Sequence, residues 1–209
     1  MTTEPPHRDH ITGLILAGGR SSRMGTDKTV MTLCGRPMIA HITERLAPQV
    51  KAIAINAQPG FAEHQNLLIV PDTLTDHQGP LAGILAGLRH FSALGGHTHM
   101  VSVAGDGPFL PLDLVPRLAA ACPDSETIAV AASGGHMHPV YALWPLGLAD
   151  DLECWLKDAD NRRVKGFIAR HANVAVSFEQ ENTPSGPLDP FFNVNTPEDH
   201  QTAQNYLEQ

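Results

Sequence analysis

A short glycine-rich segment carries residue types that bind phosphate. Residues 16–28 read LAGGRSSRMGTDK and contain three glycines, two serines and the cations Arg20, Arg23 and Lys28. Consecutive small residues let backbone N–H groups close on phosphate oxygens, and the cations supply the opposite charge. The segment matches neither G-x-x-x-x-G-K-[ST] nor G-x-G-x-x-G. We therefore predict a phosphate-binding loop of another type; the alternative is a flexible, solvated basic loop.

Polar residues also follow three apolar segments that are predicted to be strands. Asn56 ends the segment AIAIN, Asp72 lies just after LLIV, and Asp106 follows MVSVAG. In open parallel sheets, ligands bind at the carboxyl ends of the strands, so these side chains are expected at one edge with the glycine-rich loop. The alternative is that each is an ordinary turn residue, because turns are rich in Gly, Asn and Asp.

Asp106 is the candidate metal ligand. Gly105 and Gly107 flank it, which should leave its carboxylate exposed at the end of a strand. A hard cation such as Mg²⁺ needs only one or two protein carboxylates when phosphates and waters complete its shell. The alternative is a carboxylate that only stabilises a turn.

The elements that position these residues alternate between strand-like and helix-like patterns. Buried, continuously apolar strands joined by helices predict a Rossmann-like α/β domain in three layers, with a mostly parallel central sheet and helices on both faces. Strands are predicted at 11–16, 52–56, 67–70, 100–103, 128–132, 139–144 and 173–178, and helices from about 37 and at 80–91, 112–121, 146–156, 163–170 and 197–207.

The chain of 209 residues is long enough for a single core. Residues 11–209 are predicted to form one domain, residues 1–10 a disordered N-terminal tail, and residues 180–190 a loop. Thr196 is predicted to cap the last helix.

Composition excludes several classes of protein. The formal net charge is −8, with 14 basic and 22 acidic side chains and no basic stripe, which is atypical of a general nucleic-acid binder. No apolar segment has the ~18 residues of a membrane helix, and the first ten residues lack a secretory signal. Three widely spaced cysteines without a C-x-x-C pair favour a reduced cytoplasmic compartment.

The motifs together resemble a known family. The loop LAGGRSSRMGTDK, GPLAG at residues 79–83, Asp106 followed by Gly-Pro, and NVNTP at residues 193–197 occur in the order seen in the molybdenum cofactor guanylyltransferases, the MobA family of nucleotidyltransferases. The resemblance covers residues 11–207. It implies the nucleotidyltransferase fold and Mg²⁺-dependent transfer of GMP from GTP to molybdenum-molybdopterin. Pyrophosphate would be released and the guanine dinucleotide form of the cofactor produced in the cytoplasm.

The same resemblance implies residue roles. Arg23, Lys28 and Asp106 would be catalytic, with Arg23 neutralising phosphate charge and Asp106 also binding Mg²⁺. The GTP-binding residues would be Leu16, Ala17, Gly18, Lys28, Asn56, Asp72 and Asp106. Implied partners are GTP and molybdenum-molybdopterin, with transient contacts to cofactor biosynthesis proteins or molybdoenzyme chaperones, and neither nucleic acid nor membrane.

Two further pairs are candidates for binding the acceptor. Asn193 and Asn195 stand where related sugar nucleotidyltransferases often have a second metal carboxylate, so they would bind metal weakly or orient the acceptor. The alternative is a turn that caps the last helix. Arg162 and Arg163 resemble a basic motif of the family and could hold the pterin phosphate or a partner protein; the alternative is a solvated helix face.

The sequence departs from the family around Asp106 and is rich in histidine. Gly107 stands where Thr or Ser is common, which predicts more backbone freedom. The pairs His97/His99 and His136/His138 are expected at the surface or in turns, because zinc sites normally need three or four ligands. The segment His138-Pro139 opens a predicted strand and could border the acceptor pocket.

Other functions remain open from the sequence. The same fold could serve a cytidylyltransferase for the same pterin or a sugar-phosphate nucleotidyltransferase. A different class is a non-catalytic carrier of a nucleotide or cofactor. The combination of Asp106 and Lys28 argues against a carrier, because a carrier needs phosphate binding but no metal at the reacting phosphate.

Overall fold

The computed structural model describes residues 6–17, 31–58, 67–74, 79–158 and 160–208. Within these ranges, no helix is both long and apolar enough to cross a membrane. The strands are β1 (Ile11–Leu16), β2 (Thr32–Leu33), β3 (Arg36–Pro37), β4 (Ile53–Asn56), β5 (Leu68–Ile69), β6 (His99–Ala104), β7 (Ile128–Ser133), β8 (His136–Pro145), β9 (Asn173–Ser177), β10 (Glu181–Thr183) and β11 (Gly186–Leu188). The α-helices are α1 (Met38–Leu46), α2 (Pro80–Leu94), α3 (Leu114–Ala121), α4 (Ala149–Trp155), α5 (Val164–Ile168) and α6 (Pro197–Leu207).

Seven strands form the central sheet in the order β5-β4-β1-β6-β8-β7-β9. β1 pairs in parallel with both β4 and β6, β4 with β5, and β7 with β9. β8 runs antiparallel to its neighbours β6 and β7. Every strand of this sheet except β8 therefore points in the same direction, and the carboxyl ends of those six strands meet at one edge.

Helices cover both faces of the sheet. One apolar cluster packs α1, α3 and α6 against the sheet, with Ile42, Leu118 and Ala203 fully buried. The second cluster packs α2, α4 and α5 against the opposite face, around Trp144 and Phe167. These two helical layers and the central sheet confirm the predicted three-layer α/β fold with a mostly parallel sheet. The layers form because strands that are apolar on both faces must be covered on both sides.

The structure adds local detail to the sequence prediction and differs from it in several places. Residues 180–190, predicted as a loop, contain the antiparallel hairpin β10–β11. β7 and β8 form a hairpin through Gly134 and Gly135, whose positive φ angles of 54° and 79° suit a tight turn between twisted strands. Arg8–His10 form a 3₁₀ turn just before β1, and residues 1–5 lie outside the described residues, so the disordered tail and the domain bounds stay predictions.

The predicted cap of the last helix is confirmed. The Asp199 N–H donates to Thr196 Oγ1 at 3.1 Å, and the Thr196 N–H donates to Asp199 Oδ2 at 2.9 Å. This reciprocal capping box satisfies N–H groups that the first turn leaves without helical partners. The helix start and the NVNTP segment before it are thus fixed by local side chains.

His99 should make folding stability fall in mild acid. It is 1 % exposed at the start of β6, not at the surface as predicted, and burial lowers its pKa from 6.5 to about 4. The unfolded chain takes up this proton near pH 6.5 while the folded chain stays neutral, so stability present above pH 6.5 is lost as the pH falls toward 4. We expect the free energy of unfolding, measured in urea, to drop by about 2 kcal/mol between pH 7 and pH 4.5 from this group alone.

The control for this prediction is His99→Gln, which has a similar polar reach and takes up no proton. The variant will be less stable at pH 7 but should lose about 2 kcal/mol less than the wild type on acidification. An identical pH dependence in both proteins would contradict the assignment to His99.

Candidate active site

Leu16 and Ala17 lie at the carboxyl end of β1, which is a central strand of the sheet. The Ala17 N–H donates to the Asn56 carbonyl, and the Gly105 N–H donates to the Leu16 carbonyl, both at 3.0 Å. The ends of β4 and β6 are therefore fastened to the end of β1. Three of the predicted strand ends thus meet at one place, as their sequence positions suggested.

The predicted phosphate-binding loop, residues 16–28, starts at the end of β1 and is described only as far as Ala17. Gly18, Arg23 and Lys28 lie outside the described residues, so their roles stay predictions. Ala17 is half-buried, and the chain leaves the sheet at the edge that carries the other candidate residues. This is the exit point that a phosphate-binding loop in an open sheet requires.

Asn56 joins the ends of β4 and β5. Its side chain is 3 % exposed, and Nδ2 donates to the Val70 carbonyl at 3.0 Å and to Asp72 Oδ1 at 2.8 Å. The amide therefore holds the half-buried Asp72 carboxylate at the edge. Its Oδ1 faces Gly83 of α2, where an ideal Cβ would lie 2.2 Å away. Gly83 thus provides the space in which this amide is held.

Asp106 lies just beyond the end of β6, half-buried and next to the end of β1. Its carbonyl accepts a hydrogen bond of 2.8 Å from the Val194 N–H. This contact brings the segment before α6 onto the turn that follows β6. The contact joins residues that lie 88 positions apart in the sequence.

Gly107 is needed for space. Its φ is not among the positive values found in the described chain, so the residue does not use the left-handed conformations that favour glycine, and the extra backbone freedom stays a prediction. An ideal Cβ at this position would lie 1.8 Å from the Tyr141 hydroxyl and 2.9 Å from Asn193 Oδ1. The Tyr141 hydroxyl, which donates to Asn193 Oδ1 at 3.1 Å, therefore fills the position that a larger residue would use.

Asn193 and Asn195 have different surroundings. The side chain of Asn193 faces the turn at Asp106 and Gly107 through Tyr141. Asn195 is exposed, and its N–H donates to Asp199 Oδ2 at 2.9 Å as part of the start of α6. The structure therefore brings Asn193 to the candidate metal ligand and gives the backbone of Asn195 a place in the helix cap.

Arg162 and Arg163 are exposed where α5 begins, with Arg163 as its N-terminal flanking residue. Neither has an ion-pair partner among the described residues. The positive charge of the nearby Lys165 contributes to lowering the pKa of His138, so the start of α5 lies close to the start of β8. Among the described residues, no hydrogen bond or ion pair joins either arginine to the turn at Asp106.

A polar cluster that the sequence analysis only partly anticipated lies beside Tyr141. Ser133 Oγ contacts Asp189 Oδ1 at 2.9 Å and Oδ2 at 2.8 Å, and His138 Nε2 at 2.7 Å. Ser133 ends β7, His138 lies near the start of β8, and Asp189 follows β11. His138 was noted from its position before a proline, but Ser133 and Asp189 were missed.

Electrostatic effects tie this cluster to Asp106. Full burial raises the pKa of Tyr141 well above its ordinary value, and the charges of Asp106 and Asp189 raise it further. Burial lowers the pKa of His138, while the charge of Asp189 opposes that shift. Tyr141 is therefore a neutral hydroxyl donor between two carboxylates, and His138 is neutral near pH 7.

The side chains at this edge fit Mg²⁺ better than a protein-built metal centre. Nowhere in the described ranges do three or more His, Cys, Asp or Glu side chains group closely enough to hold a metal ion. Asp106 offers one half-buried carboxylate at a strand end, and Mg²⁺ typically uses one or two carboxylates together with substrate phosphates. The donor set at Asp106 therefore suits a metal that arrives with a phosphate ligand.

A cavity of about 640 Å³ lies at the opposite edge of the sheet. Its lining includes His97, Leu146, Arg170 and His171. Leu146 is next to the amino end of β6 through its N–H bond to the Thr98 carbonyl. None of the predicted site residues lines this cavity, so its size does not make it the candidate site.

Comparison with known proteins shows the family of this chain. The family described as "MobA-like NTP transferase domain" matches residues 13–174. A curated protein of Rhizobium meliloti (strain 1021), named molybdenum cofactor guanylyltransferase, is 49 % identical over 210 residues, covering 99 % of this chain and 96 % of that protein. A protein of the same name from Sinorhizobium fredii is 48 % identical over 93 % of this chain and 90 % of its own length.

Solved structures share the fold. Molybdopterin-guanine dinucleotide biosynthesis protein A from Archaeoglobus fulgidus superposes with a TM-score of 0.72 at 22 % identity, over 94 % of this chain and 98 % of that one. A 4-diphosphocytidyl-2C-methyl-D-erythritol synthase from Anaerococcus prevotii has a TM-score of 0.70 at 14 % identity, over 96 % and 97 %. The fold alone thus does not choose the nucleotide, whereas the sequence match over most of the chain identifies it as a member of the MobA-like NTP transferase family.

Proposed function

We propose that this protein transfers GMP from GTP to molybdenum-molybdopterin, releasing pyrophosphate and forming the guanine dinucleotide form of the molybdenum cofactor. The observation that carries the proposal is the 49 % identity over 99 % of the chain to a protein named for this activity. The meeting of Asn56, Asp72 and Asp106 at one sheet edge supports it, because nucleotides bind at such edges.

The nucleotide occupies the half of the edge formed by β1, β4 and β5 in this proposal. The backbones of Leu16, Ala17 and Gly18 contact GTP, and Asn56 and Asp72 lie on its nucleoside side. Arg23 and Lys28 neutralise phosphate charge, which stabilises the leaving pyrophosphate.

Mg²⁺ is the proposed metal, with Asp106 as its protein ligand. When bound, it neutralises charge on the phosphates that bind it. Asn193 lies close enough to the Asp106 turn to orient the acceptor, with its Oδ1 held by Tyr141. Arg162 and Arg163 supply positive charge on the acceptor side and are proposed to bind an anionic part of the acceptor or a partner protein.

The chemistry needs positioning more than proton transfer. An oxygen of the acceptor's phosphate forms a bond to the α-phosphorus of GTP, and the bond from that phosphorus to the bridging oxygen of pyrophosphate breaks. The attacking phosphate is already ionised, so neither a serine nucleophile nor a strong general base is required. Ser133 is not such a nucleophile, since it is 3 % exposed and donates its hydroxyl proton to Asp189.

A cytidylyltransferase for the same pterin or a sugar-phosphate nucleotidyltransferase is the second candidate function. The specific observation in its favour is that a solved diphosphocytidyl synthase shares the fold over 96 % of this chain. Partners beyond the two substrates, such as cofactor biosynthesis proteins or molybdoenzyme chaperones, and a cytoplasmic location are proposed from the family resemblance alone.

The test is pyrophosphate release with Mg²⁺, molybdenum-loaded molybdopterin and each of GTP, CTP, ATP and UTP in turn. Release with GTP alone is the expected result. Release with CTP would move the protein to the cytidylyl branch while keeping the site. Absence of release with all four nucleotides would overturn the proposal and direct the search to sugar phosphates or a carrier.

Gly83→Ala should weaken GTP binding. The added Cβ would lie 2.2 Å from Asn56 Oδ1 and 2.8 Å from Leu16 Cδ2, so the amide that holds Asp72 must shift. We expect the Kd of GTP, measured by calorimetry, to rise about tenfold, the effect of losing one good hydrogen bond. Gly147→Ala is the control, because a Cβ there meets nothing within 4 Å. Equal GTP affinity in the two variants would remove Asn56 and Asp72 from the nucleotide site.

A further inference from the structure

The half of the sheet edge formed by β7 and β8 has no role in the nucleotide site proposed above. In the sheet order, β6 with Asp106 at its end separates β5, β4 and β1 from β8 and β7. If the nucleotide lies over the first three strands, an acceptor that reacts at Asp106 must extend over the ends of β8 and β7. The cluster of Ser133, His138 and Asp189 lies at that end.

The hydrogen-bond contacts determine which atoms of the cluster carry protons. Ser133 has one hydroxyl proton, and both Asp189 carboxylate oxygens lie within 2.9 Å of it, so the hydroxyl donates to Asp189. The remaining lone pairs of Ser133 Oγ then accept the proton of His138 Nε2 at 2.7 Å. Asp189 also accepts the Phe191 N–H at 2.9 Å, which anchors the carboxylate. The order Asp–Ser–His differs from a hydrolytic triad, in which histidine lies between the other two.

This arrangement leaves His138 Nδ1 as an unused hydrogen-bond acceptor. Nδ1 has no hydrogen-bond partner among the described residues. It is also accessible, unlike the ring nitrogens of His90, His97 and His99 that are fully buried without a partner. A neutral imidazole with its proton on Nε2 presents a lone pair on Nδ1. An acceptor atom that is fixed and accessible can recognise an N–H donor of a ligand.

The ring that carries Nδ1 is held from two sides. The Phe191 ring packs against His138 with centroids 4.7 Å apart and planes tilted by 33°, and the Tyr141 ring lies edge-on at 6.4 Å. Tyr141 in turn holds Asn193 next to the Asp106 turn. The imidazole is therefore rigid, and one aromatic side chain separates it from the candidate reaction centre.

We propose that His138 recognises the nitrogen heterocycle of the acceptor, with Nδ1 accepting a hydrogen bond from its amino or ring N–H group, and that Ser133 and Asp189 are positioning residues that fix the imidazole tautomer. This inference rests on the proposed function, which supplies a pterin as the acceptor. A pterin carries such N–H donors at the end of the molecule remote from its phosphate. The phosphate lies at Asp106 while the heterocycle extends over the amino end of β8, where His138 lies.

The first test uses two substitutions of His138, each of which keeps a polar group near one of the two ring nitrogens. His138→Gln keeps an N–H that reaches Ser133 from the Nε2 position but removes the Nδ1 acceptor. We expect the KM for molybdenum-molybdopterin to rise about tenfold with kcat and the KM for GTP within twofold of the wild type. His138→Asn places an amide oxygen near the Nδ1 position and should recover part of the loss. His136→Gln is the matched control, because His136 is exposed on the same strand.

The positioning role of Ser133 has its own readout. In Ser133→Ala the imidazole loses the acceptor of its Nε2 proton, so the ¹⁵N spectrum should change from one dominant tautomer to a mixture of both. The KM for the acceptor should rise less than in His138→Gln. A wild-type tautomer ratio in Ser133→Ala would overturn this part of the proposal.

The outcomes distinguish this inference from the proposed function. If the wild type guanylylates molybdenum-molybdopterin and His138→Gln has an unchanged acceptor KM, the inference is overturned and the function stands. If the wild type transfers no nucleotide to this acceptor, the ¹⁵N resonance of His138 Nδ1 is followed while 6-hydroxymethylpterin is added. The resonance is assigned by its absence from the spectrum of His138→Gln. An upfield shift of this resonance supports recognition of a pterin, and no shift overturns it.

Discussion

Asp106→Asn is expected to lower kcat by about a thousandfold, because it removes the carboxylate assigned to the metal while keeping the size of the side chain. Electrostatic groups at a reacting phosphate are worth about 10²–10³ in rate, and the loss of a metal ligand adds to that. The Val194 contact uses the Asp106 carbonyl, so the turn itself should persist. Steady-state pyrophosphate release at saturating GTP and acceptor gives kcat, and a single-turnover measurement shows whether the loss lies in the chemical step.

The controls for Asp106→Asn separate metal binding from folding. Asp113→Asn changes an exposed carboxylate that pairs only loosely with Arg117, at 3.7 Å, and should keep wild-type kcat. Asp106→Asn should retain part of the GTP binding, since Asn56 and Asp72 are untouched. Raising the Mg²⁺ concentration should recover part of the activity. Full activity at ordinary Mg²⁺ would show that Asp106 is a turn residue.

The layers of the fold follow from local patterns in the sequence. Segments such as ITGLIL are apolar on both faces, so they need helices on both sides of the sheet, whatever their order. Strand direction is different, because an apolar run reads the same in either orientation. β8 was predicted only as a strand, and its antiparallel direction depends on the Gly134-Gly135 turn. That glycine pair was the available indication of a hairpin.

The candidate site likewise contains some residues that local sequence patterns predict and others that depend on long-range contacts. Asn56, Asp72 and Asp106 are visible in the sequence because each directly follows its own strand, and the sheet brings them to one edge. The polar network around Tyr141 depends on contacts that span 52 residues to Asn193 and, from Ser133, 56 residues to Asp189. Such contacts are set by how the chain after β11 returns to the sheet, and no local pattern encodes them. This is why the sequence indicated the proposed nucleotide half of the site more fully than the proposed acceptor half.

Gly107→Ala is expected to lower kcat about a hundredfold. A methyl group there would lie 1.8 Å from the Tyr141 hydroxyl, and Tyr141 is 2 % exposed in the core, so the turn that holds Asp106 must move instead. A displacement of about 1 Å at a reacting centre can cost about 10² in rate. The kcat of pyrophosphate release measures the effect, while the melting temperature reports any loss of folding.

The cause of that loss can be tested by removing the nearer of the two obstacles, the Tyr141 hydroxyl. Tyr141→Phe deletes the hydroxyl and leaves Cζ 3.1 Å from the added methyl group, a tight but tolerable distance. Tyr141→Phe alone should lower kcat several-fold, because Asn193 Oδ1 loses its donor. In the Gly107→Ala background the same substitution should raise kcat about tenfold, a change of sign that a double-mutant cycle measures as strong coupling. If the loss of kcat in the double variant equals the product of the losses in the two single variants, Tyr141 does not set the position of the Asp106 turn.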